Sequence, residues 1–134
     1  LPLTTTFLEN KLTRQISSES LWPCRSKING FEIHNGQTKL DNMHKSLKIN
    51  PIFKDFHLGW YRENNAGGTI VGTYIHGIFE NDNWRDQYLN LIRKCKNLPL
   101  LSKKSISYKV KRDSIIDNLA NEFEKHLTIT SLLS

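Results

Sequence analysis

The feature that most constrains the fold is a change in hydrophobic periodicity near residue 82. Before it, β-branched and aromatic runs are short and end at turn-forming residues such as Asn35-Gly36. These runs predict strands at Leu12 to Ile16, Ile28 to His34 and Thr69 to Ile75, the last of them buried. After residue 82, apolar residues recur at helical spacing. Strands mixed with helices at this spacing predict an α/β layered domain.

Two helices are predicted in the second half of the chain. The first begins at Asn81 or Asp82, where a side-chain oxygen can accept from the free N–H groups, and ends at Leu98-Pro99. Its apolar stripe consists of Trp84, Tyr88, Leu91, Ile92 and Cys95. The second begins near Asp113, and the residues expected to face the core are Ile116, Leu119, Ala120, Phe123 and Leu127. Residues 128–134 are expected to be a loosely held tail, and Asp41 to Lys54 an irregular polar surface loop.

Length and composition narrow the class of protein. A chain of 134 residues corresponds to one ordinary domain, with 37% hydrophobic and 24% charged residues. No apolar run approaches the roughly 18 residues of a membrane span, so no membrane partner is expected. The start lacks both Met and a signal-peptide layout, which suggests that the chain is cut from, or follows, a longer polypeptide. Cys24 and Cys95 lie far apart with no paired spacing, which favours a reducing cytoplasm.

The positive charge is concentrated in one segment. Eight of the basic residues, and no acidic residue, lie between Arg93 and Arg112, in a chain of net charge +6. The segment is either a surface that attracts nucleic acid or another polyanion, or a solvated helix end followed by a loop. No nucleic-acid-binding motif accompanies it, so the solvated segment is the favoured interpretation and no nucleic-acid partner is expected.

The histidines offer one candidate for chemistry. The five are His34, His44, His57, His76 and His126, and no two have the i, i+4 spacing of a zinc-binding helix, so no metal site is expected. His44, His57 and His126 are assigned to structure or solvent. His76 differs because it falls where a predicted strand ends, directly before Gly77. It can be a packed strand-end residue, a metal ligand or a proton shuttle.

Other reactive groups are sparse. Glu32 and His34 share one face of a predicted strand, either as a functional carboxylate–imidazole pair or as a surface pair, and spacing alone favours the surface pair. Cys95 belongs to an apolar stripe, and Cys24 has no glycine-rich elbow, so neither resembles a nucleophile. No Gly-x-Ser-x-Gly sequence is present.

Two blocks carry a family resemblance. "NGFEIHNGQT" (residues 29–38) followed by "GTYIHGIFEND" (residues 72–82) resembles the C-terminal part of the cobyric acid synthase family. The opening "LPLTTTF" and the closing "KRDSIIDNLANEFEKHL" resemble the corresponding family segments, so the likeness covers nearly the whole chain. The resemblance implies the C-terminal part of a class I glutamine amidotransferase domain, flavodoxin-like, with a mixed sheet and flanking helices. Residues 1–127 would then be a partial domain whose nucleophile elbow lies upstream.

The resemblance also implies a mechanism. In this family a cysteine attacks the carboxamide of glutamine, and the histidine matching His76 acts with it as acid and base. Glu32, His34, Asn35 and Gly36 match the block expected to form the glutamine-side wall of the pocket. The ammonia amidates side-chain carboxylates of an adenosylcobyrinic acid diamide-type corrinoid, activated by ATP and Mg²⁺ at an upstream ATP-binding domain of the same enzyme.

Two departures from the family pattern matter. No cysteine elbow is present in the chain, so these residues alone are expected to be inactive. Many class I amidotransferases place Glu two residues after the histidine, where this chain has Ile78, and the orienting partner of His76 is therefore open. The alternatives are an amidotransferase subunit acting on cell-wall lipid intermediates, and a non-catalytic remnant or anion-binding module that uses the basic segment.

Overall fold

The chain folds into β-strands followed by two long helices. The computed structural model describes residues 1–41, 47–64, 67–102 and 106–126. The strands are β1 (Leu3–Thr6), β2 (Leu12–Ser20), β3 (Ser26–His34), β4 (Gln37–Leu40), β5 (Asn50–Pro51), β6 (Gly59–Glu63), β7 (Thr69–Thr73) and β8 (Ile75–His76). Short 3-10 helices span Phe56–Leu58 and Ile78–Glu80, and the long helices are α1 (Asp82–Cys95) and α2 (Tyr108–His126). The fold class is α/β, as predicted.

The chain divides into two compact units, Leu1–Lys104 and Ser105–Ser134. In the described part of the first unit the strands form three small sheets, ordered β1-β4, β2-β3-β8 and β5-β6-β7. Each of these strand pairs is antiparallel. The longest pairing joins β2 to β3, from Leu12 opposite His34 to Ser20 opposite Ser26. The strand predicted to begin at Leu12 does so, and it continues past Ile16 to Ser20. The strand predicted to end at His34 also does so, and it begins at Ser26 rather than at Ile28.

An aromatic and aliphatic core holds the first unit together. Its buried members are Trp22, Ile28, Ile52, Phe53, Leu58, Ile75, Ile78 and Trp84. Trp84 attaches α1 to this core, because its indole Nε1 donates to Ser20 Oγ at 3.1 Å and to the Trp22 carbonyl at 3.0 Å. A buried indole needs such acceptors, and here the strand-end backbone supplies one of them.

Two expectations about burial in the first unit are wrong. β7 was expected to be buried, but Ile70 is 45% exposed, because β7 lies at the edge of its sheet and, among the described residues, pairs only with β6. The segment from Asp41 to Lys54 was expected to be a polar surface loop, but Ile52 and Phe53 are fully buried beside β5. Two adjacent apolar residues can enter a core even when the rest of their segment is polar. The average hydrophobicity of such a segment is low and does not show that these two residues are buried. Residues 42–46, including His44, lie outside the described residues.

The start of α1 is confirmed, and its end is not. Asn81 is the N-cap residue, but its side chain bonds to β3 rather than to the helix: it accepts from the Asn29 N–H at 2.9 Å and donates to the Asn29 carbonyl at 3.0 Å. The helix ends at Cys95, before the predicted Leu98-Pro99. Cys95 is exposed, and Ile92 is 41% exposed, so the expected apolar stripe is buried only toward its beginning.

The second helix is present, but the prediction that one of its faces is buried in a core is wrong. α2 begins at Tyr108, earlier than the predicted Asp113, and none of its residues is buried. The residues expected to face a core, Ile116, Leu119, Ala120 and Phe123, are exposed. The described residues of this unit form a single helix, which provides no second layer to cover an apolar stripe. Leu127, the last residue predicted to face the core, and the predicted tail at residues 128–134 lie outside the described residues.

Candidate active site

His76 lies on β8, the shortest strand of the β2-β3-β8 sheet. β8 pairs with β3 so that His76 is opposite Phe31 and Ile75 is opposite Glu32. Gly30 permits this approach, since a Cβ atom at that position would lie 2.5 Å from the His76 carbonyl oxygen. Gly77 follows with a φ of +79°, a left-handed conformation that glycine adopts without a steric cost. The chain therefore turns directly after His76.

The imidazole of His76 is exposed, and one of its nitrogens is held. Nε2 lies 3.2 Å from the carbonyl oxygen of Ile33. A carbonyl can only accept, so in this arrangement Nε2 carries the proton, and in the neutral ring Nδ1 carries the lone pair. The ring therefore extends along β3 toward the end of that strand.

A buried carboxylate lies on the other face of β3. Glu32 is fully buried, and its oxygens accept from Arg14 Nε at 2.7 Å and from His34 Nε2 at 2.7 Å. His57 Nε2 is farther away, 3.7 Å from the nearer oxygen. Burial raises the pKa of Glu32, but the hydrogen bonds from His34 and Arg14 outweigh it, so the pKa lies below its ordinary value. Glu32 is therefore an anion held by two donors.

The expectation that Glu32 and His34 form a surface pair is wrong. The two side chains share a face of β3, as predicted, but that face is covered. The His34 ring packs on the Tyr74 ring with centroids 4.4 Å apart, and the Tyr74 hydroxyl bonds to the Thr38 hydroxyl. A separation of two positions shows that two side chains lie on the same face of a strand. It does not show whether that face is buried.

The predicted site residues are divided between the two faces of β3. Successive residues of a strand point to opposite faces, so His76 shares a face with its partner Phe31, and Glu32 and His34 lie on the opposite one. Gly36 is buried and lines the same pocket as Glu32 and His34, while Asn35 is exposed at the turn after β3. The groups approach each other only at the end of β3, where the His76 ring reaches the residue before His34.

Sequence reasoning missed Arg14 and His57. Arg14 faces Glu32 because the β2–β3 pairing places these residues opposite each other. Both strands were predicted, so the pairing register was the missing information. His57 lies in the short 3-10 helix Phe56–Leu58, which is too short to give a periodic pattern in the sequence. Its Nε2 lies 3.3 Å from Arg14 Nη2, and since a guanidinium only donates, His57 accepts there.

The other reactive groups lie elsewhere. The Cys24 sulfur is 3.8 Å from Ser26 Oγ and 3.7 Å from Asn83 Nδ2, beside the start of β3, and Cys95 is exposed at the end of α1. Ile78 is buried in the core.

Among the residues that the structure describes, no three His, Cys, Asp or Glu side chains are placed to hold a metal ion. Over the same residues, no helix is both long and apolar enough to cross a membrane.

A comparison with protein families identifies the family of the chain. The sequence profile of the CobB/CobQ-like glutamine amidotransferase domain matches residues 1–84. The chain belongs to this family. The match includes Glu32, His34, Asn35, Gly36 and His76, and it ends within α1. The CobB/CobQ-like family has the class I glutamine amidotransferase fold, which confirms the fold implied by the resemblance.

Individual relatives extend the similarity to the whole chain. The chain is 78% identical over 134 residues to a cobyric acid synthase of Prochlorococcus marinus strain AS9601, with all of this chain and 26% of the relative covered. Cobyric acid synthases of P. marinus strain MIT 9215 and Synechococcus sp. strain CC9311 are 75% and 41% identical, again with all of this chain and 26% and 27% of the relative covered. The chain thus spans about a quarter of the length of these relatives. No solved structure matches it.

Proposed function

We propose that this CobB/CobQ-like chain is part of a glutamine-dependent amidotransferase and that His76 is its general acid–base residue. The observation that carries the proposal is the family match over residues 1–84, which contains the "GTYIH" strand end. The exposed imidazole of His76 supports it, because a proton-transferring group must be accessible to the substrate and the nucleophile.

The proposed reaction uses the two nitrogens of His76 differently. Nε2 is held by the Ile33 carbonyl, and Nδ1 takes the proton of a cysteine thiol that comes from outside residues 1–134. The thiolate attacks the carboxamide carbon of glutamine, the C–N bond breaks, and His76 gives the proton to the departing ammonia. Water then cleaves the thioester and releases glutamate. A thiol is only a few per cent thiolate near neutral pH, so a neighbouring base increases the reactive fraction.

The glutamine is proposed to lie across the end of β3. There the His76 ring reaches Ile33, and the next residues are His34, Asn35 and Gly36. Glu32 and His34 then form the wall on one side of the strand, with Gly36 at its end and Asn35 at the exposed turn. This arrangement lets groups from both faces of β3 contact one small molecule.

The acceptor is proposed to be a corrinoid. The relatives carry the name cobyric acid synthase, which favours amidation of corrin-ring side-chain carboxylates in cobalamin biosynthesis, in the cytoplasm, over action on cell-wall lipid intermediates. ATP and Mg²⁺ would activate those carboxylates at an upstream domain, and no described residue of this chain is assigned to hold them. The domain is proposed to cover residues 1–127, with 128–134 as a tail.

The decisive variant is His76→Ala in the full-length polypeptide that carries this chain. Glutamine-driven amidation is expected to fall by about 10² to 10⁴-fold, because the general acid–base group is lost. Ammonia-driven amidation is expected to stay unchanged, since ammonia bypasses the glutamine reaction. Both rates are measured by the formation of amidated corrinoid.

The matched control is His126→Ala, which removes an exposed histidine whose Nε2 lies 3.2 Å from Glu122 on α2. This variant is expected to keep both activities. Equal loss of glutamine-driven and ammonia-driven amidation in His76→Ala would contradict the proposed role, and so would full retention of both.

A further inference from the structure

The sequence contains two Asn-Gly pairs, and the fold places them in different surroundings. Asn29-Gly30 lies within β3, and Asn35-Gly36 forms the bend between β3 and β4. In such a pair the backbone nitrogen of glycine can attack the side-chain carbonyl carbon of asparagine and close a five-membered ring. Glycine favours this reaction because it has no side chain to hinder the attack. Ring closure requires rotation of the asparagine backbone and side chain.

The backbone of the first pair is clamped. The Asn29 N–H donates to Asn81 Oδ1 at 2.9 Å, and the Asn29 carbonyl accepts from Asn81 Nδ2 at 3.0 Å. Asn29 and Gly30 also pair with β2, opposite Ser17 and Ile16. Both residues would therefore have to leave the sheet locally before the ring could close.

The second pair has no such clamp. The bend falls outside the strand pairings, since β3 ends at His34 and β4 begins at Gln37. The Asn35 side chain is exposed and makes no hydrogen bond to any residue that the structure describes. Gly36 is buried, and a Cβ there would lie 2.8 Å from the Thr6 carbonyl oxygen. The fold therefore restrains Asn35 less than Asn29, although the packing of Gly36 restrains the bend more than a free peptide.

We propose that Asn35-Gly36 is a site of spontaneous deamidation and that the fold protects Asn29-Gly30. The Gly36 nitrogen loses its proton and bonds to Asn35 Cγ, the Cγ–Nδ2 bond breaks, and ammonia leaves with that proton. Water then opens the succinimide ring at either of its carbonyl groups. The product is aspartate, or isoaspartate, in which the main chain runs through the former side chain.

This modification falls at the candidate active site. Aspartate places a negative charge in the proposed glutamine-side wall, and isoaspartate adds a methylene group to the main chain between His34 and Gly36. We therefore expect glutamine-driven amidation to decline as the protein ages, while ammonia-driven amidation is kept. This consequence rests on the proposed function, whereas the deamidation itself does not.

Peptide mapping of the full-length polypeptide tests the site. The protein is incubated in mildly alkaline buffer, sampled over time and digested with trypsin. Cleavage after Lys27 and Lys39 releases residues 28–39, which contain both asparagines, and fragmentation mass spectrometry locates the new acid. Asn35 is expected to convert at least about tenfold faster than Asn29, because Asn29 must first lose two hydrogen bonds to Asn81.

A synthetic peptide of residues 26–40 is the unfolded reference. Its two asparagines are expected to convert at similar rates, and Asn35 is expected to convert more slowly in the protein than in this peptide. Asn81→Ala removes the clamp and should accelerate conversion at Asn29 without changing Asn35. If the folded wild-type protein converts both asparagines equally, or leaves Asn35 intact while the peptide reacts, the inference is overturned.

The activities of the same samples test the consequence. The loss of glutamine-driven amidation should follow the fraction of modified Asn35. Asn35→Gln should keep its own starting activity during the incubation, because its longer side chain would have to close a larger and slower-forming ring. Parallel loss of glutamine-driven and ammonia-driven amidation would contradict the consequence. If His76→Ala retains glutamine-driven activity, the proposed function fails, but the mass measurement on Asn35 is unaffected.

Discussion

Glu32 determines how the side chains on one face of β3 are arranged. A carboxylate without solvent contact is stable as an anion only when donors replace the lost water, and Arg14 and His34 do so here. Because each donor is also part of the pocket wall, the buried charge orders a surface that a ligand can reach. Stability and the shape of the candidate site therefore depend on the same group.

This coupling predicts an acid-sensitive contribution to stability. The pKa of Glu32 in the folded chain lies below its ordinary value of 4.5. A carboxyl group with a lowered folded pKa stabilises the fold above its ordinary pKa, and this stabilisation is lost as pH falls through the folded pKa. Glu32→Gln is expected to lower the free energy of unfolding near neutral pH by about 1.5–3 kcal/mol. Denaturant titrations across the acid range should show a shallower pH dependence in the variant.

Glu9→Gln is the control for that measurement, since Glu9 is exposed on the segment between β1 and β2. It should leave both the neutral-pH stability and the acid dependence close to those of the wild type. An identical acid slope in the wild type and Glu32→Gln would show that the carboxylate is not held as an anion by Arg14 and His34.

At the residue scale, sequence reasoning identified side chains but not their surroundings. His76 was singled out from its position at a strand end, and the structure places it there with an exposed ring. Arg14 was missed because its role comes from a partner 18 positions away, across a strand pairing. Spacing within one strand shows which side chains share a face. Only the register of the strand pairing shows which residue of the neighbouring strand lies opposite each of them.

Among the elements, β8 depends on its neighbour. This strand has two residues, Ile75 and His76, and within the described part of the chain it pairs with β3 alone. Ile75 is buried in the core, whereas His76 is exposed on the other face. A strand this short is positioned by how closely its backbone can approach β3, and Gly30 sets that approach.

Gly30→Ala is therefore expected to displace β8. The added Cβ would lie 2.5 Å from the His76 carbonyl oxygen and 2.7 Å from Ile75 Cγ2, which is closer than such atoms can approach. Relieving this overlap is expected to cost about 1–3 kcal/mol of unfolding free energy. Glutamine-driven activity of the full-length polypeptide should fall as well, because the His76 backbone must move.

Gly72→Ala on β7 provides the comparison for that variant. Its nearest atom would be Leu1 Cδ1 at 3.3 Å, the flexible end of a side chain. A change within about 1 kcal/mol is expected. Equal destabilisation by both substitutions, measured by denaturant unfolding, would mean that the close approach at Gly30 does not position β8.

The elements themselves were predictable to different degrees. β2, β3 and the start of α1 followed from alternation and a capping residue, which are local signals. The burial of Phe53 and the exposure of Ile70 did not, because burial depends on contacts between segments that are far apart in the sequence. Leu119 on α2 shows the same limit, since its periodicity predicts a helix without showing what covers it.

On the scale of the whole molecule, many large apolar side chains are exposed. In the first unit they include Phe7 and Phe31, and on α2 they include Ile116, Leu119 and Phe123. Exposed apolar groups of this size are typical of surfaces that associate with other protein. We therefore expect the isolated chain of 134 residues to be prone to self-association.

We expect the isolated chain to show a concentration-dependent mass in sedimentation velocity. The double substitution Ile116→Glu/Leu119→Glu should shift the distribution toward the monomer, because it places charges on apolar positions of α2. Asn118→Glu/Asn121→Glu adds the same charge to exposed polar positions of the same helix and should have a smaller effect. A monomeric wild-type chain with a sharp, cooperative melt would contradict this expectation.

All three tryptophans lie inside the first compact unit. Trp22, Trp60 and Trp84 are each less than a tenth exposed, and Trp22 and Trp84 pack in the core. Intrinsic indole fluorescence is therefore a built-in reporter of residues 1–104, while the helical signal of circular dichroism comes mainly from α1 and α2. Because α1 belongs to the first unit, a part of the helical signal that is lost separately from the fluorescence change reports the unfolding of α2, without any added label.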